Sequence, residues 1–469
     1  MSINGLLNTS YDSLQGFQFA IDLTGANIAN VNTPGYSRQR AVFESVGALD
    51  VNSVRAQVGV QIAGVERIYD AYLNNQVIDQ SQVVGYNQAK SDILDRVEGI
   101  FAENGGAASD VMNKFWNAWS ELATNPQGQV ERENLLAAAQ DMTAKFRSLD
   151  SELTKLAQDA DENIANTVIR VNDYLSQIAD LNKTIIVDGA QDNGNSNILK
   201  DRRSELLTQL SGLVDINYVE DNNGAANVLL ANGKPLILGT NTFSLAVTNP
   251  AGSVAVVYQN DPNDNLTQAL SQGRKGKLAA LLETESQIVP DYKGKLNAVA
   301  DAIVRTVNTQ HRLGYDNSGN AGGDFFMPSP TPLTPTKDAA RNFQVSAAVS
   351  SDVNKIAASA TVNDDGENAL ALGAIKDKSV VINGNTATIS NNYASLIGQI
   401  GRDVAYAKSS LDHQTAIMDQ FSNRREATSG VSLDEEMMNL IKYQMAYNAS
   451  GKLVNTANQM MDTLMGLVK

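Results

Sequence analysis

The chain has 469 residues, 42% hydrophobic and 19% charged, with 36 basic against 52 acidic side chains and a net charge of −16. That length supplies core for roughly two to four domains, and the acidic balance argues against the basic face that nucleic acid or anionic lipid requires. Without cysteine, and with only His311 and His413 as histidines, disulfides and thiolate metal sites are excluded and His-based metal or triad chemistry is poorly supplied.

Met1 to Ser37 contains no Lys or Arg and no continuous apolar run, so a cleaved secretory leader is not expected. No stretch approaches the roughly 18 apolar residues that span a bilayer. Ser2 to about Ala29 reads as a helix with an apolar stripe at Ile3, Leu7, Ser10, Leu14, Phe17, Ile21, Thr24, Ile28 and Val31. Its steps alternate four and three, the spacing that keeps one seam against a partner helix. The helix ends at Asn30-Val31-Asn32-Thr33-Pro34-Gly35, where Pro34 biases Thr33 away from helix and Gly35 supplies a turn. An extended stretch is expected to Ile68.

Helical periodicity then dominates to Ile186. Ser109 is the expected N-cap of a helix carrying Val111, Phe115, Trp119 and Leu122, closed by Asn125-Pro126. No Pro or Gly interrupts Gln129 to Val187, which predicts a rod of about 85 Å at 1.5 Å per residue. From Val214 to Tyr258 apolar and polar residues alternate between turn clusters at Asp221–Gly224, Asn232-Gly233 and Asn249–Gly252, the pattern of antiparallel strands. Helix resumes near Lys277 with Leu278, Leu281, Ile288, Tyr292, Leu296, Val299, Ile303 and Val307 on one face.

Gly314 to Gly323 reads as loop, and Pro328, Pro330, Pro332 and Pro335 mark an irregular connector. Phe343–Val349 and the pair around Asn383-Gly384 are expected as short strands. A third heptad series starts at Tyr393 and breaks at Ser429-Gly430. The last helix carries the stripe Leu433, Met437, Leu440, Gln444, Tyr447, Gly451, Val454, Asn458, Met461, Met465 and Val468. Gly451 on that stripe suits either a close helix approach or a kink.

The element order is palindromic, so the simplest fold brings the two ends together. We expect a multidomain, mainly α chain: N- and C-terminal helices paired as a coiled coil, an elongated helical bundle, and a small antiparallel β insert. The expected boundaries are 1–35 plus 431–469 for the terminal coiled coil, and 36–212 plus 273–327 plus 391–430 for the bundle. The β-rich outer domain would span 213–272, and the connector with short strands 328–390.

Signals for chemistry are absent. Gly273-Arg274-Lys275-Gly276-Lys277 fails the phosphate-loop pattern at Ser271 and Leu278. Asp316-Asn317-Ser318-Gly319-Asn320 fails the calcium-loop pattern at Ala321 and Met327 and reads as a turn. No nucleophile elbow occurs. These patterns identify no catalytic residue, metal ligand or cofactor site.

The ends carry a family resemblance. Leu23 to Gln39, with its core Asn27-Ile28-Ala29-Asn30-Val31-Asn32-Thr33-Pro34-Gly35-Tyr36, resembles the N-terminal motif of bacterial flagellar rod, hook and hook-associated proteins. Ser37-Arg38-Gln39 is similar to the hook-associated form, as is Gly430 to Met437 followed by Asn439 to Tyr447. This resemblance implies a non-enzymatic subunit of the ring joining hook to filament. Its terminal helices would line the axial channel, and its outer domains would face solvent. Implied partners are copies of itself, the hook protein, a second junction protein, and an export chaperone on the C-terminal segment, with neither nucleic acid nor membrane. Implied too are unfolded export through the flagellar type III apparatus and an extracellular location.

The expected assembly interface comprises Ile3, Leu7, Leu14, Phe17, Ile21, Ile28, Leu433, Met437, Leu440, Tyr447, Val454, Met461 and Met465. The motif residues are Asn27, Asn30, Asn32, Thr33, Pro34, Gly35 and Tyr36. Three alternatives stay open from the residues alone: another axial protein of rod or hook, a wall-degrading enzyme riding on flagellar end motifs, and a surface adhesin built on the β insert. Polar and small residues on the stripes (Ser10, Thr24, Gln444, Gly451, Asn458) weaken a seam in isolation, so both ends are expected to order fully only on assembly.

Overall fold

The computed structural model describes residues 3–51, 54–102, 108–191, 196–250, 253–327, 338–362 and 365–467. Helix α1 (Ile3–Ala29) is followed by a long antiparallel hairpin, β1 (Gln39–Val51) and β2 (Val54–Arg67), with a bulge at Val42/Phe43. The stretch expected as extended is thus a two-stranded ribbon. It lies along α1, where the Phe17 and Phe43 rings sit 5.7 Å apart.

The helical body begins with α2 (Ala71–Ala102), α3 (Ala108–Thr124), α4 (Gln129–Gln191) and α5 (Ser196–Leu213). Ala108 already belongs to α3, so Ser109 sits inside the helix and is not its cap. Uninterrupted helix-forming sequence makes α4 63 residues long, a rod of about 95 Å. Its core face reads Leu135, Met142, Phe146, Leu149, Leu153, Leu156, Ile164, Val171, Leu175 and Ile178, all buried. Between α2 and α5 the backbones touch: a Cβ on Gly85 would lie 2.1 Å from the Gly212 carbonyl oxygen, so only glycine fits at 85.

The β insert forms two antiparallel sheets. One orders β3 (Ile216–Glu220), β4 (Ala226–Leu230), β5 (Pro235–Leu238) and β6 (Asn241–Thr242); the other orders β7 (Leu245–Thr248), β8 (Ala255–Tyr258) and β9 (Asp261–Asn265). Two asparagines of α4 fasten the insert by pairing their amides with strand backbone. The Asn172 Nδ2 donates to Leu245 O and its Oδ1 accepts from Leu245 N, both at 2.8 Å. Asn182 donates to Ala226 O at 2.9 Å and Gly239 O at 2.7 Å, and accepts from Ala226 N and the Arg203 guanidinium. Val228, Leu230, Ile237, Leu245 and Val256 consequently join the same hydrophobic core as α4.

The chain returns through α6 (Thr267–Gln272) and α7 (Lys277–Glu283), a π-helical turn (Thr284–Ile288), and α8 (Val289–His311). Pro328, Pro330, Pro332 and Pro335 lie outside the described residues. The remainder of the expected connector is more regular than its sequence suggests. Its strand β11 (Gln344–Val345) pairs with β10 (Phe326–Met327), which lies just before it, and it holds helices α9 (Ala347–Ser351) and α10 (Glu367–Gly373) and the hairpin β12 (Val380–Ile382)–β13 (Asn385–Ala387). Phe343–Val349 is therefore not one strand. The Ser346 hydroxyl accepts from Val349 N and starts a helix there. The hairpin at Asn383-Gly384 forms as expected, with φ of 50° and 80° at its two turn residues.

His311 is buried among Trp119 and Phe325, with its Nδ1–H directed at Gly323 O (2.7 Å) and its Nε2 accepting from Ala357 N (2.8 Å). Asp316 closes the expected turn by accepting from Ser318 N and Asn320 N.

Two long helices end the chain, α11 (Ile389–Ser429) and α12 (Leu433–Leu467). Helix α11 runs antiparallel to α2, buries Tyr393, Ile400, Val404 and Ala407, and then continues with polar ties, Ser410 to Asn87 and Gln414 to Gln80. Helix α12 is continuous through Gly451, and a Cβ there would meet nothing within 4 Å. The helix is not interrupted there, and no close approach forces the glycine. Val468 lies outside the described residues.

The accessible surface of the chain is 23668 Å². A compact monomer of this mass exposes about 17,000 Å², so the fold leaves much more surface to solvent than its size requires.

Candidate assembly interface

The ends of the chain do meet. Helices α1 and α12 pack antiparallel, and the residues between them are mostly small or polar: Ser10, Ala20, Thr24 and Asn27 from α1, and Glu436, Ser450 and Ala457 from α12 are buried. Phe43 of the hairpin wedges between the two helices, 6.0 Å from the Tyr443 ring.

The expected apolar stripes lie beside this contact. On α1, Ile3, Leu7, Leu14, Phe17, Ile21 and Ile28 are half-buried. On α12, Leu440, Val454 and Met461 are half-buried, while Leu433, Met437, Tyr447 and Met465 are exposed. Residues of α12 that face α1 fall about one position before the stripe read from sequence. The larger side chains turn outward, with Leu433, Met437, Ile441 and Met445 at four-residue spacing and Met438 alongside.

The N-terminal motif forms a hub joining α1, the hairpin, α12 and the helical body. Asn27 is its centre. Its Nδ2 donates to Gln39 O (2.8 Å) and Glu436 Oε2 (2.9 Å), and its Oδ1 accepts from the Tyr36 hydroxyl (2.9 Å) and Gln39 N (3.1 Å). Four bonds use the full hydrogen-bonding capacity of the amide. Asn30 caps the end of α1 through Ala26 O and accepts from Thr33 Oγ1, and Tyr36 N donates to Thr33 O. Gly35 turns at a φ of 77°, and a Cβ there would press on Glu205. Asn32, Thr33 and Pro34 are exposed and line a cleft of about 400 Å³ with Arg425, Glu426 and Val431.

Residues past the motif carry the hub's charge. The Arg38 guanidinium pairs with Glu435 and, at 2.7 Å, with Glu436, whose side chain is 2% exposed. Its backbone N–H donates to Ser429 O, so one residue grips both helices at the α11–α12 break. Ser37 N donates to Asp201, and Arg67 pairs with the same carboxylate at 2.6 Å. Burial pushes the Asp201 carboxyl up from the usual carboxylate range, with Arg67 and Ser37 opposing. The Tyr36 hydroxyl is pushed up to about 12, chiefly by burial and then by the Asp201 and Glu436 carboxylates, so it stays protonated as the donor to Asn27.

Sequence reading located the motif but assigned no role to Arg38, Glu436, Arg67 or Asp201. The available signal was a charged residue two positions past the motif and a glutamate beside the C-terminal stripe. Among the described residues there is no group of three or more His, Asp or Glu side chains arranged to hold a metal, and no helix is long and apolar enough to cross a membrane.

Comparison with known proteins points the same way. The family model for the flagellar hook-associated protein FlgK helical domain matches residues 94–326. The ends match the flagella basal body rod protein model at 7–36 and the C-terminal model of the basal body rod FlgEFG proteins at 425–467. Flagellar hook-associated protein 1 of Bacillus subtilis is 30% identical over 97% of this chain and 96% of that protein. The Escherichia coli protein of the same name is 25% identical over 99% of this chain and all of its own. That alignment runs over 548 positions, so the relative carries segments that this 469-residue chain lacks. In fold, the chain is similar to the flagellar hook junction protein FlgK from Burkholderia pseudomallei, with a TM-score of 0.65 at 18% identity, covering 77% of this chain and 100% of that one.

Proposed function

This chain belongs to the flagellar hook-associated protein 1 family, and from that footing we propose that this flagellar structural component is the subunit of the ring joining hook to filament. In this reading it is not an enzyme. It assembles with copies of itself, meets the hook protein and a second junction protein, is exported to an extracellular position, and is held before export by a chaperone on α12.

The observation that carries the reading is the two-sided character of α12. One side packs on α1 through small and polar groups, and the other presents Leu433, Met437, Met438, Ile441 and Met445 to solvent. A helix apolar on more than one face is stable only when buried from more than one direction. Neighbouring subunits supply that burial. The expected interface residues Leu433, Met437, Tyr447 and Met465 then contact neighbours, while Leu440, Val454, Met461 and the α1 stripe flank the intramolecular contact. The excess surface of the free chain is the area such packing covers.

An Ile441→Asp variant tests this. Ile441 is exposed in the monomer, so the purified variant is expected to unfold at the same urea concentration as the parent. In cells lacking the parent chain it is expected to leave hooks without filaments under the electron microscope. Normal filaments at the usual density would overturn the proposal.

A further inference from the structure

Six of the chain's eleven methionines fall in the 35 residues of α12. Met437, Met438, Met445, Met460 and Met465 expose between 50% and 70% of their surface, whereas Met112 and Met142 are wholly buried in the helical body. A thioether open to solvent is a two-electron reductant, and its sulfoxide is polar, chiral and unable to pack as an apolar group. The chain has no cysteine to intercept an oxidant first.

We propose that the outward methionines of α12 are oxidation sites, and that their conversion to sulfoxide by a peroxide makes the free subunit incompetent for assembly. The sulfur lone pair attacks one peroxide oxygen, the O–O bond breaks, and the departing hydroxide takes the proton from the transferred oxygen. Each thioether is oxidised by two electrons to sulfoxide while one hydrogen peroxide is reduced to water. Apolar knobs become polar ones on the face neighbours would cover, and packing there removes the same sulfurs from solvent. Sensitivity therefore belongs to the unassembled chain. This rests on the reading above, that the outward face of α12 is the covered one.

The test uses the full-length chain, graded hydrogen peroxide, peptide mass spectrometry, and binding to hooks isolated from cells that lack the chain. Met437, Met438, Met445, Met460 and Met465 are expected to oxidise at least about tenfold faster than Met112 and Met142. Treated chain is expected to lose hook binding, and combined reduction by both epimer-specific methionine sulfoxide reductases to restore it. A variant with all five residues changed to Leu is expected to keep binding after the same treatment. Equal oxidation rates in α12 and the core, unimpaired binding of treated chain, or no recovery on enzymatic reduction would each overturn the proposal. Untreated Ile441→Asp separates the two ideas. If it binds hooks normally, the interface reading fails; if it does not bind while peroxide-treated parent does, only the oxidation proposal fails.

Discussion

A single amide holds the hub together. Asn27 is irreplaceable by shape alone, because its two donors and one acceptor satisfy a backbone carbonyl, a backbone N–H, a phenol and a carboxylate at once. Asn27→Asp keeps the shape, loses both donors and sets a second carboxylate against Glu436. Unsatisfied buried groups cost about 1–3 kcal/mol each, so a loss of more than about 2 kcal/mol is expected by urea denaturation, and Glu436→Gln in the same chain is expected to recover part of it. A different single residue governs acid sensitivity. Burial, opposed by the Gly323 carbonyl, pushes His311 down to about 4. The native state thus excludes the proton that the unfolded chain binds near the ordinary histidine value. Stability from this site is fully present above about pH 6.5 and is lost as pH falls toward 4, about 3 kcal/mol in all. Tryptophan fluorescence during urea unfolding at several pH values checks this, since Trp119 lies 6.2 Å from the imidazole. The motif was readable as a string, but neither residue's bonding was. Partners such as Asn27 and Glu436 lie 409 positions apart, and nothing local announces such a pairing.

Periodicity found α4, α11 and α12, and the reason is the length of the signals: each sustains an apolar repeat over many turns. It did not assign the neighbour that each stripe faces. Antiparallel α1 and α12 approach through serine, alanine and threonine, while the conspicuous leucines and methionines point elsewhere. A sequence pattern marks which residues want burial, not which neighbour provides it. Short elements were harder for a related reason. Strand β9 reads Asp-Pro-Asn-Asp-Asn, a turn composition that pairing with β8 overrides, and α9 depends on one serine cap. Gly451 offers a test at this scale. It sits in a continuous helix with open space where its Cβ would be, so Gly451→Ala is expected to stabilise α12 by up to about 1 kcal/mol. Slower amide hydrogen exchange across 445–457 would register the gain; faster exchange would show that the glycine is required.

In the whole molecule, a densely packed body carries a lightly packed extremity. Helix α4 gathers the bundle, the β insert and the connector into one hydrophobic core. The α1–hairpin–α12 unit joins that body chiefly through the hub around Asn27, Arg38 and Asp201. Limited trypsinolysis of the free chain is therefore expected to cut first at Lys442 and Lys452, both exposed, leaving a resistant fragment near 71–429, and assembled chain is expected to resist at those sites. The palindromic element order made the meeting of the two ends legible, although the polar chemistry that joins them to the body was not. The hub has a further effect, which concerns order in time. Bringing Glu436 to Asn27 from an unfolded chain costs about 5 kcal/mol of closure entropy, a cost that shrinks once the body has formed and drawn both ends near. The last bonds to close are thus those that report whether everything between them is in place. A polypeptide that stops short of Glu436, or misfolds midway, leaves Asn27 unanswered and α1 without its companion, so the molecule proofreads its own completeness before it is fit to build with.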